Sequence, residues 1–360
     1  MKGTCHAYFA VDLGFGVDLA RAERVVAAES LRQTFKRPRR APEAAQLRRH
    51  SLRLAQSGFP IEIGAWKTDG AVEVVVWEFA AATIDYRIPV DGELGELVTL
   101  ADLLWDNAAL LADAKSRAQQ LIETLAQAID KPRIGDRVED YVAFELKLPD
   151  GARAEALWTD ERATTARILR AEPGPLGEQE INEAIAVRTA YLPEEIVLVD
   201  WFAAILAGDD MEDERVVLEL SIAELLELRH LDEQLDRGIE GAYAILNRKR
   251  GFVSGLRAPA QDLDAIAQAQ ADAAVLFEGV DNALKLLGDQ YLARLYHVVS
   301  TRFHLPAWDA AIERKLRVLD SIHEKLASRA STKRFELLEI IVIILILIEI
   351  LMPVIDRLTR

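Results

Sequence analysis

One cysteine, Cys5, stands in a chain of 360 residues, so neither an intramolecular disulfide nor a cysteine-based zinc centre can form. That scarcity suits a reducing compartment and a cytoplasmic body. Basic residues are in deficit, 43 lysines and arginines against 59 acids, and the formal charge of -16 disfavours binding of the whole molecule to a phosphate backbone. The N-terminus, MKGTCHAYFAVDLGFGVD, has no charged segment leading into a continuous apolar stretch of about 7 residues, and a secretory signal is not expected. Absent too are GxxxxGK[ST], a GxGxxG turn after a strand, a GxSxG elbow and an HExxH pair. No reaction is declared by motif, and no cofactor is expected.

What the chain has is apolar mass, 51% of its residues, enough for two domains or for one domain with a long helical appendage. Its densest concentration is LEIIVIILILIEIL, Leu338 to Leu351. As a helix, Phe335 to Ile355 would reach about 31 Å, close to the hydrocarbon thickness of a bilayer. Its aliphatic residues contribute roughly -5 to -9 kcal/mol to insertion, against about +3 for one central acid, Glu349. Lys325, Arg329, Lys333 and Arg334 precede the run and only Arg357 and Arg360 follow it, a bias that keeps the body cytoplasmic. The expectation is a single transmembrane helix over residues 335–356, a tail anchor in the inner (cytoplasmic) membrane with the lipid bilayer as partner. The alternative is a buried strand or core helix. Glu349 is the membrane-embedded polar candidate, either pairing in a homo-oligomer or lining an ion path, or else an acid tolerated at the interface.

The remainder predicts an α+β protein. Residues 1–150 read as a mixed α/β head built around a small sheet, with an opening strand over 6–15 and a short helix after it. A hairpin of PIEIGAWK and AVEVVVWEF is expected around Asp69-Gly70, followed by a strand in ATIDYRIPV and a helix over about Glu93 to Ile129. Between Leu31 and Leu54 lies a basic loop in which Arg37, Arg39, Arg40, Arg48 and Arg49 are candidates for contact with anionic lipid or RNA; the alternative is a solvated linker. Residues 151–210 continue the head with helices and the strand EEIVLVDWFAAIL. Within it Asp200 and Trp201 are interaction candidates, Asp200 being either half of an ion pair with Arg188 or Arg229, or a pocket acid. DDMEDE reads as a helix cap with acids in the first turn, or less simply as a divalent-cation site. Residues 211–334 advance their apolar positions by about 3.5 residues in two seams, from Leu218 to Leu246 and from Leu263 to Val298, and read as a helical hairpin or coiled-coil stalk. A metal pair of His297 and His304 is conceivable only if one helix runs through both.

AYLPEEIVLVDWFAAIL, LELSIAELLELRHLDEQLD and the terminal LEIIVIILILIEIL together resemble the bacterial YagE-type membrane proteins, themselves similar to the yeast required-for-meiotic-nuclear-division proteins and their mitochondrial relatives. The resemblance covers roughly residues 60 to 355 in order of elements, and its specific part is the last motif with Glu349. It implies an α/β head, a helical hairpin, a C-terminal anchor and an oligomer without established catalysis; the basic loop around Arg39 and Arg40 departs from the pattern. The functional expectation is an oligomeric membrane scaffold or tether whose protein partner the residues do not name. Alternatives are a CorA-like multimeric ion pathway using Glu349 and an enzyme of unknown reaction in the head.

Overall fold

The structure, a computed structural model, describes residues 1–30, 35–36, 50–149, 153–247, 267, 271 and 289–358. The strands are β1 (Lys2–Asp12), β2 (Gly16–Val17), β3 (Phe35–Lys36), β4 (Ser51–Ser57), β5 (Glu62–Ile63), β6 (Trp66–Lys67), β7 (Ala71–Trp77), β8 (Ala81–Asp91), β9 (Ile129–Asp130), β10 (Val138–Lys147), β11 (Arg188–Thr189), β12 (Ile196–Val199) and β13 (Ala203–Ala207). The helices are α1 (Leu19–Ser30), α2 (Glu96–Leu104), α3 (Ala108–Leu125), α4 (Arg162–Arg170), α5 (Glu178–Ala184), α6 (Glu212–Asn247), α7 (Gln290–Arg302) and α8 (Leu305–Leu358). The described residues divide into two compact units, Met1–Leu231 with Val275–Asp309, and Asp232–Ala274 with Ala310–Arg360.

The first unit is organised by a nine-stranded sheet in the order β11-β12-β13-β10-β1-β8-β7-β4-β3, larger than the small sheet expected. All its pairings are antiparallel except β10 with β13. Strand β1 is the axis, and its alternation separates two chemistries. Cys5, Ala7, Phe9 and Val11 face an apolar core with Val74, Ile84, Tyr86 and Phe144, covered by α2 through Leu97, Leu100 and Leu104 and by α3 through Leu110, Ala114 and Leu121. His6, Tyr8 and Asp12 face the other way and are also buried, among charged groups. Gly3 sits where β1 crosses β10, because a Cβ there would run into the Glu145 carbonyl oxygen.

Local corrections have local causes. The Asp69-Gly70 turn does not join a wide hairpin: β5 and β6 form their own two-stranded sheet around Gly64, at φ +60°, and β7 pairs with β4 instead. The partner strand, SLRLAQS, alternates buried and half-buried positions inside what reads as the end of a basic loop. The single long helix expected before residue 129 is two, because Trp105 turns extended and Asn107 caps α3 through its Oδ1, which accepts from Leu110 N at 3.0 Å. EEIVLVDWFAAIL is a hairpin, with Asp200 and Trp201 in the turn between β12 and β13 rather than in mid-strand. His297 lies in α7, which ends at Arg302, and His304 follows at φ +56°, so no one helix carries both. At the start of α6, Asp210 Oδ1 accepts from Glu212 N at 3.3 Å, with Glu212, Asp213 and Glu214 in the first turn, the capping arrangement.

In the second unit, Leu235 and Ala242 of α6 and Ile312, Leu319 and Ile322 of α8 are buried, and Lys315 Nζ lies 2.6 Å from both Asp232 and Asp236. Further along α8, ten aliphatic side chains from Leu338 to Ile348 are 38% to 59% exposed. Among the described residues no helix is long and apolar enough to cross a membrane, which overturns the tail anchor, the transmembrane helix over 335–356 and the single-pass inner-membrane location. Glu339 lies within the described run and is exposed along with it, and a carboxylate at membrane depth opposes insertion by about 3 kcal/mol. The side chain of Glu349, residues 263–266 and 272–287 of the second seam, and Arg37, Arg39, Arg40, Arg48 and Arg49 of the basic loop lie outside the described residues.

Candidate functional site

The charged face of the sheet meets the first half of α6, which brings down Arg215, Glu219, Glu227 and His230, all buried. His6 Nδ1 donates to the Asp85 carboxylate at 3.1 and 2.9 Å, and its Nε2 lies 3.5 Å from Glu145. Burial alone would lower the His6 pKa, but the Asp85 charge and the hydrogen bonds raise it, while the same imidazolium holds Asp85 below its usual range against burial. Arg215 pairs with Glu145 at 2.8 Å, and Arg53 joins Glu73 at 3.1 Å to Glu219 at 2.5 Å. Arg53, which the sequence places at the end of the basic loop, is thus a buried link between β4 and α6. Signs alternate through this network, so its charges are compensated from within, and it fastens α6 to the sheet. Burial pushes the Cys5 thiol well up, which argues against a nucleophilic role.

A second cluster closes the end of β1. Arg133 Nη2 lies 3.2 Å from Asp12 Oδ2 and donates to His230 Nε2 at 2.5 Å, and Asp12 Oδ1 accepts from Gly14 N at 2.9 Å. Burial, followed by the nearby Asp12 charge, raises the Glu227 carboxyl well above its usual range, and Arg133 opposes that rise. No group of three or more His, Cys, Asp or Glu among the described residues is placed to hold a metal ion.

A solvent-open cavity of about 310 Å³ in this unit is lined by Trp105, Asp106, Glu139, Asp140, Tyr141, Trp201, Phe202, Ile222, Leu225, Arg229 and Phe303. Three corners build it. The break between α2 and α3 supplies Trp105 and Asp106, the latter held at φ +51°; Asn107 ties that corner to both helices by donating to Leu103 O at 2.8 Å and accepting from Leu110 N. The start of β10 supplies Glu139, Asp140 and Tyr141. The β12–β13 turn supplies Trp201 and Phe202. Phe202 packs on Trp105 at 5.0 Å between ring centroids, and Phe303 packs edge-on to Tyr141 at 5.2 Å and to Trp201 at 6.2 Å. Arg229 of α6 pairs with Glu139 at 2.5 Å and lies 5.5 Å from the Trp201 ring centroid.

Of the two interaction candidates named by sequence and described here, Trp201 lines this cavity, 45% exposed. Asp200 lies beneath it and pairs with neither Arg188 nor Arg229: Arg170 Nε approaches it at 3.0 Å, Arg302 joins it, and its backbone oxygen accepts from Tyr141 Oη at 2.9 Å. It is a support for the turn that carries Trp201. Sequence reasoning missed Trp105, Asp106 and Asp140, and named Arg229 only as a partner for Asp200. Two signals were present, the helix-stop run Trp105-Asp106-Asn107 and the acid pair Glu139-Asp140 opening a strand.

Comparison with known proteins matches residues 2–214 to the family model described as "Uncharacterized protein MJ0711, N-terminal domain". The relative of that name in Methanocaldococcus jannaschii is 25% identical over 239 residues, which cover 65% of this chain and 71% of the relative. No solved structure matches. The resemblance to YagE-type and meiotic-nuclear-division proteins is overturned, since the family that matches is a different one. Its specific part was the terminal aliphatic run, which lies outside the matched residues, and a run of so few residue types fits many unrelated helices.

Proposed function

The chain belongs to the family of the MJ0711 N-terminal domain, and we propose that it works as a non-catalytic scaffold that assembles with copies of itself through α8. The observation that carries this reading is the aliphatic band from Leu338 to Ile348, in which ten of eleven side chains are Leu, Ile or Val and stand between 38% and 59% exposed. Consecutive positions of a helix point to every side, so the band is bare all round. A contiguous apolar surface beyond roughly a few hundred Å² marks an interaction site.

A second copy fits that surface by chemistry. Leu338, Ile341 or Val342, Leu345 and Ile348 recur at three- and four-residue steps, the spacing that lets identical parallel helices interlock in register. Closed symmetry sets the same residues of each copy against one another. The head supports a scaffold in that Arg53 with Glu219 and Arg215 with Glu145 tie its sheet to α6. An ion pathway through Glu349 is not carried forward, because it needs a spanning helix.

Light scattering on the size-separated chain tests the reading. The expected mass is at least twice 40.1 kDa, falling to one chain for Ile341→Lys with Leu345→Lys. A single-chain mass for the unaltered protein at all concentrations overturns it, and so does assembly that appears only when lipid vesicles are added.

A further inference from the structure

The structure assigns the Trp105–Trp201 cavity as a binding site for an organic monocation, an ammonium or guanidinium group on an apolar stem. Three carboxylates line it and one cation, Arg229, is already there, spent on Glu139. Among the described residues neither Asp106 nor Asp140 has a basic partner, whereas Glu139 is shared by Arg229 on one oxygen and Arg137, at 3.7 Å, on the other. Burial raises the Asp140 pKa against a backbone hydrogen bond that lowers it, and the repulsion of Glu139 and Asp106 adds to the rise. A cation arriving there relieves that repulsion.

The walls set the rest of the ligand. Trp105 and Trp201, 56% and 45% exposed, stand beside Phe202, Tyr141 and Phe303, and aromatic faces attract cations as well as apolar stems. Arg229 over Trp201, with its charge on Glu139, shows this pairing of ring and carboxylate already at work in the same cavity. A volume of about 310 Å³ admits a small amine or the end of one arginine or lysine side chain. The aspartates fix the charge, and the corner at Asp106, tied to α2 and α3 by Asn107, holds one of them in place before any ligand arrives.

The test is titration of the full chain, followed by tryptophan fluorescence and calorimetry, with 2-phenylethylamine, its neutral counterpart 2-phenylethanol, and N-acetyl-arginine amide. Both cations are expected to bind at least tenfold more tightly than the alcohol. Whichever cation binds better identifies the source, a free amine or a peptide side chain, and either order supports the assignment. The double variant Asp106→Asn with Asp140→Asn should lose tenfold or more toward the cations and nothing toward the alcohol. Trp201→Leu, whose neighbour Asp200 keeps its own partners, should lose affinity independently of the charge change. Equal binding of amine and alcohol, unchanged binding by the folded double variant, or no binding of either cation overturns the assignment.

Discussion

At the scale of single residues, the charged face of the sheet departs furthest from an ordinary core. Glu219 is 1% exposed and shares Arg53 with Glu73. Removing one partner leaves the other charge buried without compensation, and Glu219→Ala should cost about 3–5 kcal/mol, read from urea unfolding. Glu214 gives a pH signature. Burial first, with Glu195 and Asp213 adding to it, raises its pKa from 4.5 to about 7. The folded chain then holds this proton more tightly than the unfolded chain does. Stability from this group is intact below about pH 4.5 and declines as pH climbs toward 7, by about 1–3 kcal/mol. In Glu214→Gln that slope should disappear from urea midpoints measured between pH 4.5 and 7.5. Little of the site was legible at this scale: Trp201 was named, whereas Asp106, Asp140 and Arg229 lie about 34 and 89 residues apart in sequence, and spacing alone does not report that they converge.

At the scale of elements, sequence period and turn chemistry succeeded where one element depends on itself. The strands near residues 82–90 and 139–148, the helix after the first strand and the cap before α6 are all found close to their expected places. They failed where a choice of partner decided the outcome. Asp69-Gly70 is a sound turn signal, yet β7 takes β4 as its neighbour because the buried Leu52 and Leu54 extend the core face. Helix α4 ends on Ala171 at φ +50°, whose N–H donates to the Arg167 and Ile168 carbonyl oxygens. An alanine in that left-handed position costs roughly 1 kcal/mol that glycine avoids. Ala171→Gly relieves that cost, but the freer unfolded glycine and the lost buried methyl oppose it, so the thermal midpoint should shift by the equivalent of no more than about 0.5 kcal/mol in either direction.

At the scale of the whole molecule, the two compact units separate the proposed roles, with the cation site in one and the self-association band in the other. Charging the band through Ile341→Lys and Leu345→Lys should leave the head's unfolding midpoint and its cation affinity unaltered while abolishing assembly, since sites without shared partners act additively. Correlated loss of all three properties would refute that independence. The sequence by itself determined the mixed α/β class, the lack of a disulfide, the long apolar-striped helix after residue 211 and the aliphatic band, because composition and local periodicity are properties of one segment at a time. Tertiary structure alone decided that β1 carries a greasy face and a charged face, that Arg53 belongs to a buried pair, and that three chain corners meet around Arg229. Those outcomes turn on which distant groups share a low-dielectric space, and burial, not residue type, sets what a charge there must find.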